Sequence, residues 1–322
     1  MGKDMHTISV AMTTYNAEKF LRQQLDSILI QLRPIDELVV CDDCSTDMTI
    51  DILVDFASRA PFPVVIIENE KNLGYIKNFE KAMGLCSGNI IVLCDHDDIW
   101  MPNKIYIIEK MFIEKVDCNM VFTDALVIDE FGKFLYRLWD SVGFNRKKRW
   151  QIKHRNKYDL FLGINLVTGA TMAVSKSLYN RAFPFPLMYP HDRWLTTVAA
   201  VHGGIYFSEK TTIKYRKHGS QQIGCTSPKL LVKAHVIADY DEYIRVEKSG
   251  FRELGNRFSL ERKQIDFHNG LVKFLKFRKN SSNTLGYRTN ILINYVTGKY
   301  LEYANGFYSM AKDFFLSYKL TK

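Results

Sequence analysis

Two spacings of hydrophobic residues alternate along the first 125 residues of the chain. Short apolar runs, which are typical of buried β-strands, occur at Thr7–Met12, Glu37–Cys41, Val64–Glu68, Asn89–Cys94 and Met120–Thr123. Between them, apolar residues recur at helical spacing, which predicts helices from Asn16 to Leu32, Thr49–Ser58, Asn78–Cys86 and Lys104–Lys115. Strands that alternate with helices predict an α/β fold with a mostly parallel central sheet flanked by helices.

The remainder of the chain is less regular. Strand and turn are expected at residues 163–177, and prolines at 184, 186 and 190 mark a loop before a helix at Arg193–Val201. The residues after 224 are rich in aromatic side chains and helical in pattern. This change in composition predicts two parts, an α/β domain over residues 1–224 and a helical region over residues 225–322.

The charge of the chain is uneven. Its 322 residues carry a formal charge of +9, and Gly224–Lys322 holds 17 Lys and Arg against 9 Asp and Glu. A second basic run, Arg146–Lys157, contains seven basic residues and no acidic one. Such a balance favours either an anionic partner or a solvated basic face. No nucleic-acid partner is expected, because no recognition motif accompanies the charge and the acidic clusters would repel a phosphate backbone.

Cysteine usage and hydropathy bear on the compartment. The six cysteines are scattered rather than arranged as a disulfide framework, which favours a reducing environment. Cys41 and Cys44 form a C-x-x-C spacing, but a zinc site would need a second pair or suitably spaced histidines. No signal peptide is evident, and no apolar run approaches the ~20 residues that span a bilayer. The expectation is a cytoplasmic protein, soluble or peripheral at the inner membrane face.

Acidic side chains follow two of the predicted strands. The second strand ends in Asp42-Asp43, and the fourth ends in Asp95-His96-Asp97-Asp98. Neighbouring carboxylates repel one another unless a cation or a proton intervenes, so the second cluster predicts a site for a hard divalent cation. The alternative is that Asp97 or Asp98 caps the helix that follows.

Three further features leave alternatives open. Asp42-Asp43 either turns the chain into the next helix or accepts the imide N–H of a pyrimidine base. Asp192 either caps the helix that follows it or acts as a general base. His218 is either a structural or surface residue or a ligand of a divalent metal, for which a neutral imidazole is well suited.

Taken in order, these segments resemble glycosyltransferase family 2, an inverting family with the GT-A fold. The resemblance covers residues from about 6 to 224 and is carried by VAMTTYNAEKFLRQQLDSIL, ELVVCDDCSTDMT, ENEKNLGYIKNFEKAM and IIVLCDHDDIWMPNKI. The later TGATMAVSKSL, YPHDRWL and YRKHGSQQIG resemble the branch that contains bacterial rhamnosyltransferases. No usable resemblance extends into the last third of the chain.

The resemblance implies roles for individual residues. Asp95 and Asp97 match the family's DxD motif and would hold Mg²⁺ or Mn²⁺ on a diphosphate, with Asp95 near the ribose or the metal. Asp192 would be the catalytic base, and His218 would contact the metal or the pyrophosphate. The nucleotide side would be formed by Thr13, Tyr15, Glu18, Asp43 or Asp42, and Lys77, and the acceptor side by His191, Arg193 and Trp194. The family commonly has Glu where this chain has His191, which loosens the inference about the acceptor.

The reaction that the resemblance implies is transfer of a sugar, with rhamnose favoured, from a dTDP or UDP donor. The acceptor would be a hydroxyl of a saccharide or a lipid-linked glycan in surface polysaccharide synthesis. The basic run Arg146–Lys157 and the segments Leu271–Lys279 and Lys299–Lys319 fit an anionic membrane surface. They fit equally a helical core or a homodimer contact.

Other classes of protein are also compatible with parts of this pattern. A UDP-hexose or N-acetylhexosamine transferase and a catalytically inactive sugar-nucleotide-binding protein share the whole site. Receiver and phosphatase-like proteins place a key acid after the first strand, where this chain has Met12-Thr13-Thr14. Nucleotidyltransferases have a basic, glycine-rich loop there, and this chain has none.

Overall fold

A computed structural model describes residues 6–155, 160–163, 165–219, 240–279, 287–300, 310 and 313. These residues form two compact units. The first unit lies within Met1–Val142 and Val167–Cys225, and the second lies within Gly143–Leu166 and Thr226–Lys322. The division at Cys225 lies next to the boundary expected from composition. Residues 143–166, which the composition assigns to the first domain, belong instead to the helical unit.

The strands of the first unit form a single mixed sheet. In the described residues they are β1 Ile8–Thr14, β2 Glu37–Asp42, β3 Val64–Glu68, β4 Ile90–Asp95, β5 Ile99–Trp100, β6 Met120–Ile128, β7 Phe134–Arg137, β8 Met172–Ser175 and β9 Ile205–Arg216. Their order across the sheet is β3-β2-β1-β4-β8-β6-β9-β5, and β7 pairs with the last residues of β6. The pairs β1–β2, β2–β3 and β1–β4 are parallel, as the alternating pattern predicts. The pair β6–β9 is also parallel, although no strand is predicted at β9.

Helices connect and flank these strands. Those of the first unit are α1 Leu21–Leu29, α2 Thr49–Arg59, α3 Tyr75–Leu85, α4 Lys104–Glu114, α5 Leu138–Val142, α8 Lys176–Ala182 and α9 His191–His202. Those of the second unit are α6 Arg146–Arg155, α7 Leu160–Gly163, α10 Tyr240–Arg257, α11 Arg262–Lys279 and α12 Tyr287–Val296. The four helices expected within the first 125 residues are all present, although α1 begins at Leu21 rather than next to Asn16.

The order of strands fixes where a ligand can bind. The chain runs from β1 outward to β2 and β3, and then returns to the other side of β1 as β4. Parallel α/β sheets bind ligands beyond the carboxyl ends of their strands at such a reversal. In this register Thr13 lies opposite Asp95, and Thr14 lies opposite Asp42. The acidic ends of β2 and β4 therefore flank the end of β1.

The core explains why β1 and β4 occupy the centre of the sheet. Every residue of β1 is buried, and β4 is buried from Ile90 to Cys94. Strands covered on both faces by helices need apolar side chains on both faces, which gives a continuous apolar run rather than an alternating one. Leu21, Leu25 and Ile28 of α1 pack into the same core, together with Phe56 of α2.

The turns after β1 and β2 depart from the expected capping. Asn16 does not cap α1, whose first flanking residue is Phe20. Instead Asn16 adopts a φ of 46°, and its Oδ1 accepts a hydrogen bond from the Thr46 backbone N–H at 2.9 Å. Cys44, in the second turn, has a φ of 68°. Non-glycine residues rarely adopt positive φ, so these two linked turns are held by their surroundings.

The second unit is helical and has its own apolar contacts. Leu271, Val272 and Leu275 of α11 form one buried cluster with Ile244 of α10. Phe274 packs in a second cluster with residues of α12 and beyond. The aromatic and aliphatic positions of Leu271–Lys279 thus serve as a helical core. Most of Lys299–Lys319 lies outside the described residues.

No helix in the described part of the chain combines the length and the hydropathy required to cross a bilayer.

The turn before β9 supplies a test of the fold. Gly204 has a φ of 75°, and a Cβ there would overlap the Asp117 carbonyl oxygen. Because both backbone strain and a collision with rigid backbone result, Gly204→Ala should lower the free energy of unfolding by about 2–5 kcal/mol. Gly132→Ala is the matched control, since Gly132 has a φ of 87° but nothing within 4 Å of the added Cβ. Its cost should be about 1–2 kcal/mol, and equal costs in urea denaturation would contradict this packing.

Candidate active site

The site is built around the acidic carboxyl end of β4. Asp97 and Asp98 are buried, and Asp95 is partly buried. Hydrogen-bond donors of the described residues reach the carboxylates of Asp97 and Asp98 but not that of Asp95, so the protein itself compensates the cluster only in part.

Asp97 is held by His218. The Nε2 atom of His218 lies 2.8 Å from Asp97 Oδ2, and its ring packs at 4.9 Å from the ring of Phe20. Burial acts to raise the pKa of Asp97, but the hydrogen bond from His218 and the nearby His96 prevail and lower the pKa below its usual value. Asp97 therefore stays ionised at neutral pH.

Asp98 is anchored by Arg216, which lies in the segment YRKHGSQQIG but is not among the predicted site residues. The Arg216 backbone N–H donates to Asp98 Oδ1 at 2.8 Å, and Arg216 Nε donates to the Asp97 carbonyl oxygen at 2.8 Å. The guanidinium also donates to Gln23 Oε1 and stacks on the ring of Phe20 at 4.6 Å. Arg216 thus connects the end of β9 to the acidic residues 95–98 and to α1.

A buried lysine, Lys104 of α4, supplies a second positive charge that the sequence pattern does not reveal. Its Nζ donates to the Ala170 carbonyl oxygen at 2.6 Å and lies 4.4 Å from the centre of the Trp100 ring. Burial lowers the pKa of Lys104 to about 8, while the charges of Cys94, Asp98 and Asp95 act to raise it. Lys104 is the counter-ion beneath the acidic cluster.

Asp95 and Asp98 are both incompletely compensated. No hydrogen bond from the described residues reaches the Asp95 carboxylate, and burial, followed by the charges of Asp97 and Asp192, raises the pKa of Asp95 to about 7. Among the described residues Asp98 Oδ2 is buried without a hydrogen-bond partner, and burial, followed by the charges of Asp97 and Asp95, raises the pKa of Asp98 well above its ordinary value. Asp192, at the start of α9, lies near enough for its charge to act on Asp95.

Helix capping does not explain these acids. The helix after Pro102 begins at Lys104, its flanking residue is Asn103, and no side chain caps it. Asp97 and Asp98 are engaged by His218 and Arg216 instead. Asp192 lies in the first turn of α9, where Pro190 is the flanking residue, and its Oδ1 accepts from the adjacent Arg193 N–H. Asp97 and Asp98 therefore do not cap the helix that follows them. Asp192 is not the residue that flanks α9, but its carboxylate accepts a backbone N–H in the first turn of that helix, as the capping alternative predicts, and that alternative stays open.

Asp42 and Asp43 are buried, and both accept hydrogen bonds from neighbouring loops. Asp42 accepts from the Thr14 hydroxyl at 2.7 Å and from the Ser45 backbone N–H at 2.7 Å. Asp43 accepts from the backbone N–H groups of Leu73 and Gly74 at 2.7 and 2.9 Å. Asn69 Nδ2 also donates to Asp43 at 2.9 Å. Asp43 thereby fixes the loop that leads into α3.

The other residues predicted for the nucleotide side lie at the same edge of the sheet. Thr13 is buried at the end of β1, and its carbonyl oxygen lies 3.3 Å from His96 Nδ1. Tyr15 is 41% exposed in the turn that follows. Glu18 is exposed and accepts from the Met48 backbone N–H at 3.1 Å, at the start of α2. Tyr15 therefore presents an accessible aromatic surface at this edge.

His191 lies in an aromatic pocket next to Asp192. Its ring stacks on Phe79 at 4.2 Å and meets Tyr75 edge-on at 5.8 Å. Among the described residues neither ring nitrogen has a hydrogen-bond partner, and burial lowers the pKa of His191. Gly169 closes the pocket, because a Cβ there would come within 2.8 Å of His191 Nε2. His191 is thus a neutral ring that fills the space beside the carboxylate.

Arg193, Trp194 and Lys77 make contacts within the protein. Arg193 Nε donates to the Tyr189 hydroxyl at 2.9 Å. Trp194 is fully buried, and its Nε1 donates to the Ala182 carbonyl oxygen at 2.7 Å. Lys77 Nζ forms an ion pair with Glu80 at 2.8 Å. The structure places Trp194 in the packing of α9, remote from solvent.

A family model described as "Glycosyl transferase family 2" matches residues 9–182, which is more than half of the chain. This chain belongs to glycosyltransferase family 2. The match includes the acidic ends of β2 and β4 and ends before Asp192, so the family is established by the nucleotide half of the site.

Curated relatives agree with the family. The chain is 34% identical to "Putative glycosyltransferase EpsE" of Bacillus subtilis over 138 residues, which cover 42% of this chain and 49% of EpsE. It is 32% identical over 193 residues to WfgD of Escherichia coli, a UDP-Glc:alpha-D-GlcNAc-diphosphoundecaprenol beta-1,3-glucosyltransferase, covering 60% of this chain and 69% of WfgD. The chain spans about half to two thirds of the length of the first curated relatives it matches.

Solved structures show the GT-A fold. Residues 1–349 of S. aureus TarS, in complex with UDP-GlcNAc, superpose with a TM-score of 0.62 at 19% identity and cover 98% of this chain and 90% of TarS. The mannosyltransferase PcManGT from Pyrobaculum calidifontis, in complex with GDP-Man and Mn²⁺, gives a TM-score of 0.56 at 14% identity, covering 98% and 86%. The predicted GT-A architecture is confirmed.

The acids of this family 2 site suit a divalent cation that is shared with a ligand. Asp95 receives no hydrogen bond from the described residues, and burial, followed by the charges of Asp97 and Asp192, raises its pKa. Within the same residues, no group of three or more His, Cys, Asp or Glu side chains is arranged to hold a metal by itself. Mg²⁺ commonly binds through one or two carboxylates together with substrate phosphates. Asp95 and Asp97 fit that pattern.

The unusual pKa of Asp95 predicts how this site affects stability. Because the folded-state pKa is about 7 and the ordinary value is 3.8, the native state holds the proton more tightly. The free energy of unfolding should therefore fall as pH rises from about 4 to about 7. In chelator, Asp95→Asn should reduce that fall by at least about 1 kcal/mol. Urea denaturation at pH 5 and pH 8 measures it, with Asp26→Asn as the exposed control; an unchanged fall in Asp95→Asn would contradict the burial of this carboxylate.

Proposed function

We propose that this chain is an inverting glycosyltransferase that moves a sugar from a nucleotide-diphosphate donor to a hydroxyl acceptor. One observation supports it above the others. In a family 2 chain, Gly169, three residues before β8, lies against Asp192, since a Cβ on Gly169 would come within 3.6 Å of the Asp192 Cβ. Because β8 runs antiparallel to β4, its beginning lies beside the carboxyl end of β4, which carries Asp95. The proposed base on α9 thus lies near the proposed diphosphate-binding acids.

Asp192 is the proposed catalytic base. Its Oδ1 accepts one short bond from the Arg193 N–H, which fixes the carboxylate and leaves Oδ2 to receive a proton. Removal of the acceptor hydroxyl proton during attack contributes typically ~10²–10⁴ in rate. Attack on the anomeric carbon opposite the nucleoside diphosphate gives a single displacement, and one displacement inverts the configuration at that carbon.

Asp95 and Asp97 would hold Mg²⁺ or Mn²⁺ on the diphosphate. When bound, the cation supplies positive charge that stabilises the leaving phosphate oxygens. The two carboxylates are themselves anions and repel phosphate, so their contribution is to bind and orient that charge. His218 keeps Asp97 ionised and in place, which is compatible with a role beside the metal or the pyrophosphate.

The nucleoside would lie at the ends of β1 and β2. Tyr15 offers the exposed ring there, Thr13 and Glu18 line the turn, and Asp43 or Asp42 approaches the base. Three donors already engage Asp43, and one lone pair of its Oδ2 is left for an imide N–H. That lone pair could accept the imide N–H of uracil or thymine, the role that the family resemblance implies.

The names of the relatives indicate which classes of donor and acceptor to consider. WfgD is named for UDP-glucose and a diphosphoundecaprenol-linked acceptor, and the TarS structure holds UDP-GlcNAc. These names support a nucleotide-sugar transferase in polysaccharide synthesis with a saccharide or lipid-linked acceptor. The preference for rhamnose and for dTDP stays a prediction that rests on the later motifs alone.

Attachment to an anionic membrane surface also stays a prediction. Arg146, Lys147, Trp150 and Lys153 are exposed along α6, at positions that share one face of the helix. A basic face centred on an aromatic ring fits an anionic lipid surface. Leu271–Lys279 fits it less well, since its apolar side chains are buried. A homodimer contact remains a prediction as well.

Donor binding tests the nucleotide half. A thermal-shift panel of dTDP-, UDP- and GDP-sugars should show stabilisation by one pyrimidine donor in the presence of Mn²⁺ and little in chelator. At a ligand concentration 100 times Kd the stabilisation should be about 2.7 kcal/mol. Asp97→Asn should lose the cation-dependent part, and Asp26→Asn, an exposed acid, should not. Equal shifts with and without the cation would reject the proposed role of the acid pair.

Catalysis tests the acceptor half. Asp192→Asn keeps the shape of the side chain but cannot take a proton, so transfer should fall ~10²–10⁴-fold while donor binding is retained. Asp55→Asn, which alters an exposed ion pair with Arg22, serves as the control. Radiolabelled sugar transfer and thermal shift measure the two properties. Donor binding without turnover in the unaltered protein would indicate the inactive sugar-nucleotide-binding alternative.

A further inference from the structure

An ion pair on α3 grips the loop that leads to Asp192. Lys77 Nζ contacts both oxygens of the Glu80 carboxylate, at 2.8 and 2.9 Å. The same Nζ donates to the Phe185 carbonyl oxygen at 2.9 Å, and Glu80 accepts from the Phe185 backbone N–H. Both backbone polar groups of one loop residue are thus bound by one charged pair, here called the Phe185 clamp.

The Phe185 clamp is shielded from water. The side chain of Lys77 is 26% exposed and that of Glu80 is 12% exposed. Exposed ion pairs contribute little, but hydrogen bonds between charged side chains and backbone groups in a partly buried site are stronger. The Tyr179 hydroxyl also donates to the Glu80 carbonyl oxygen at 3.1 Å, which joins α8 to the same turn of α3.

A second contact holds the other end of the same loop. Phe79 and Tyr75, one turn apart on α3, enclose the ring of His191. His191 precedes Asp192 directly, and Phe185 lies six residues before His191. Helix α3 therefore fixes the loop of residues 185–191 at both ends, immediately before the proposed base.

The start of α3 is bound to the nucleotide side. Asp43 accepts from the backbone N–H groups of Leu73 and Gly74, and α3 begins at Tyr75. Helix α3 therefore contacts Asp43, next to the end of β2, through the residues just before its start, and contacts the loop before Asp192 through Lys77 and Glu80. Small displacements of reacting groups cost large factors in rate, so the placement of such a loop matters for catalysis.

We propose that Lys77 and Glu80 are positioning residues, which hold the backbone of Phe185 and so set the position of the Asp192 carboxylate. The proposal rests on the proposed function. It differs from the role of Lys77 implied by family resemblance, in which Lys77 contacts the base or phosphate of the donor. If Lys77 is a positioning residue, loss of Glu80 should impair transfer as loss of Lys77 does. If Lys77 contacts the donor, loss of Lys77 alone should weaken donor binding.

The test is a double-mutant cycle with Lys77→Met, Glu80→Met and the double variant, in the full chain. Each single change removes one half of the clamp, so each should lower kcat for transfer by about 10- to 100-fold with donor binding unchanged. The double variant should be no worse than the poorer single variant, because the two residues act as one unit. Lys77→Arg should keep most activity. Lys110→Met is the control, since Lys110 pairs with Glu114 on α4 away from the loop.

Amide hydrogen exchange provides a readout that does not need activity. Peptides covering residues 183–192 should exchange faster in both clamp variants, whereas peptides from β1 and β4 should be unaffected. If Lys77→Met alone weakens nucleotide binding and leaves exchange of this loop unchanged, Lys77 serves the donor and the proposal is overturned. Additive losses in the double variant would overturn it too.

Different results would contradict the proposed function and the positioning role of Lys77 and Glu80. Absence of transfer by the unaltered protein with every donor in the panel would contradict the proposed function. The exchange measurement would still decide whether the Phe185 clamp holds the loop. Normal transfer by both clamp variants, with faster exchange of the loop, would retain the function and reject the positioning role.

Discussion

Mutual repulsion of buried carboxylates is the constraint around which this structure is organised. Asp95, Asp97 and Asp98 lie within four consecutive residues at the end of β4, and taking such groups out of water is costly unless they are paired. The protein answers with Arg216 from β9 and Lys104 from α4, both largely buried themselves. Within the described residues it leaves the Asp95 carboxylate and Asp98 Oδ2 without a donor, so part of the repulsion is left uncompensated.

The same constraint explains why distant segments converge on one turn. A basic side chain that compensates a buried acid must belong to a helix or strand that is already held in place by its own packing. Arg216 comes from β9, stacks on Phe20 and reaches the backbone of Asp97 and the side chain of Asp98. Lys104 comes from the helix that begins after the acidic turn. The contacts that compensate the acids therefore also hold β9 and α4 against the end of β4.

The first half of the fold could be predicted because each strand carries its own signal. β4 is apolar at every position except the last, as a strand covered on both faces must be, and β1 is apolar at four of its seven positions. The short strands β5 and β7 have too few positions to show a pattern, and the sheet position of β9 depends on partners far along the chain. The prediction that Asn16 caps α1 was wrong because its side chain bonds to Thr46, 30 residues away.

The site was predictable to the extent that its chemistry is local in sequence. Asp95 and Asp97 lie close together along the chain, so their repulsion follows from the sequence alone. The countercharges do not, because a lone arginine or lysine in a sequence has no mark that it is buried. Lys77 shows the limit most clearly. The family resemblance implies that Lys77 approaches the base or phosphate of the donor, a role that stays a prediction. The structure adds what the resemblance does not show, an ion pair with Glu80 one helical turn away on the same face.

A lysine neutralised by its own helix is a poor phosphate ligand but a good donor to a carbonyl oxygen. Paired with Glu80, it presents one N–H donor and one carboxylate acceptor side by side, which is the complement of a single exposed peptide unit. That complementarity is satisfied at Phe185, six residues before the aromatic pocket of His191. Under the proposed function, the ion pair that withdraws the charge of Lys77 from the donor would also hold the loop before Asp192. The position of the proposed base would then depend on a helix that begins beside Asp43.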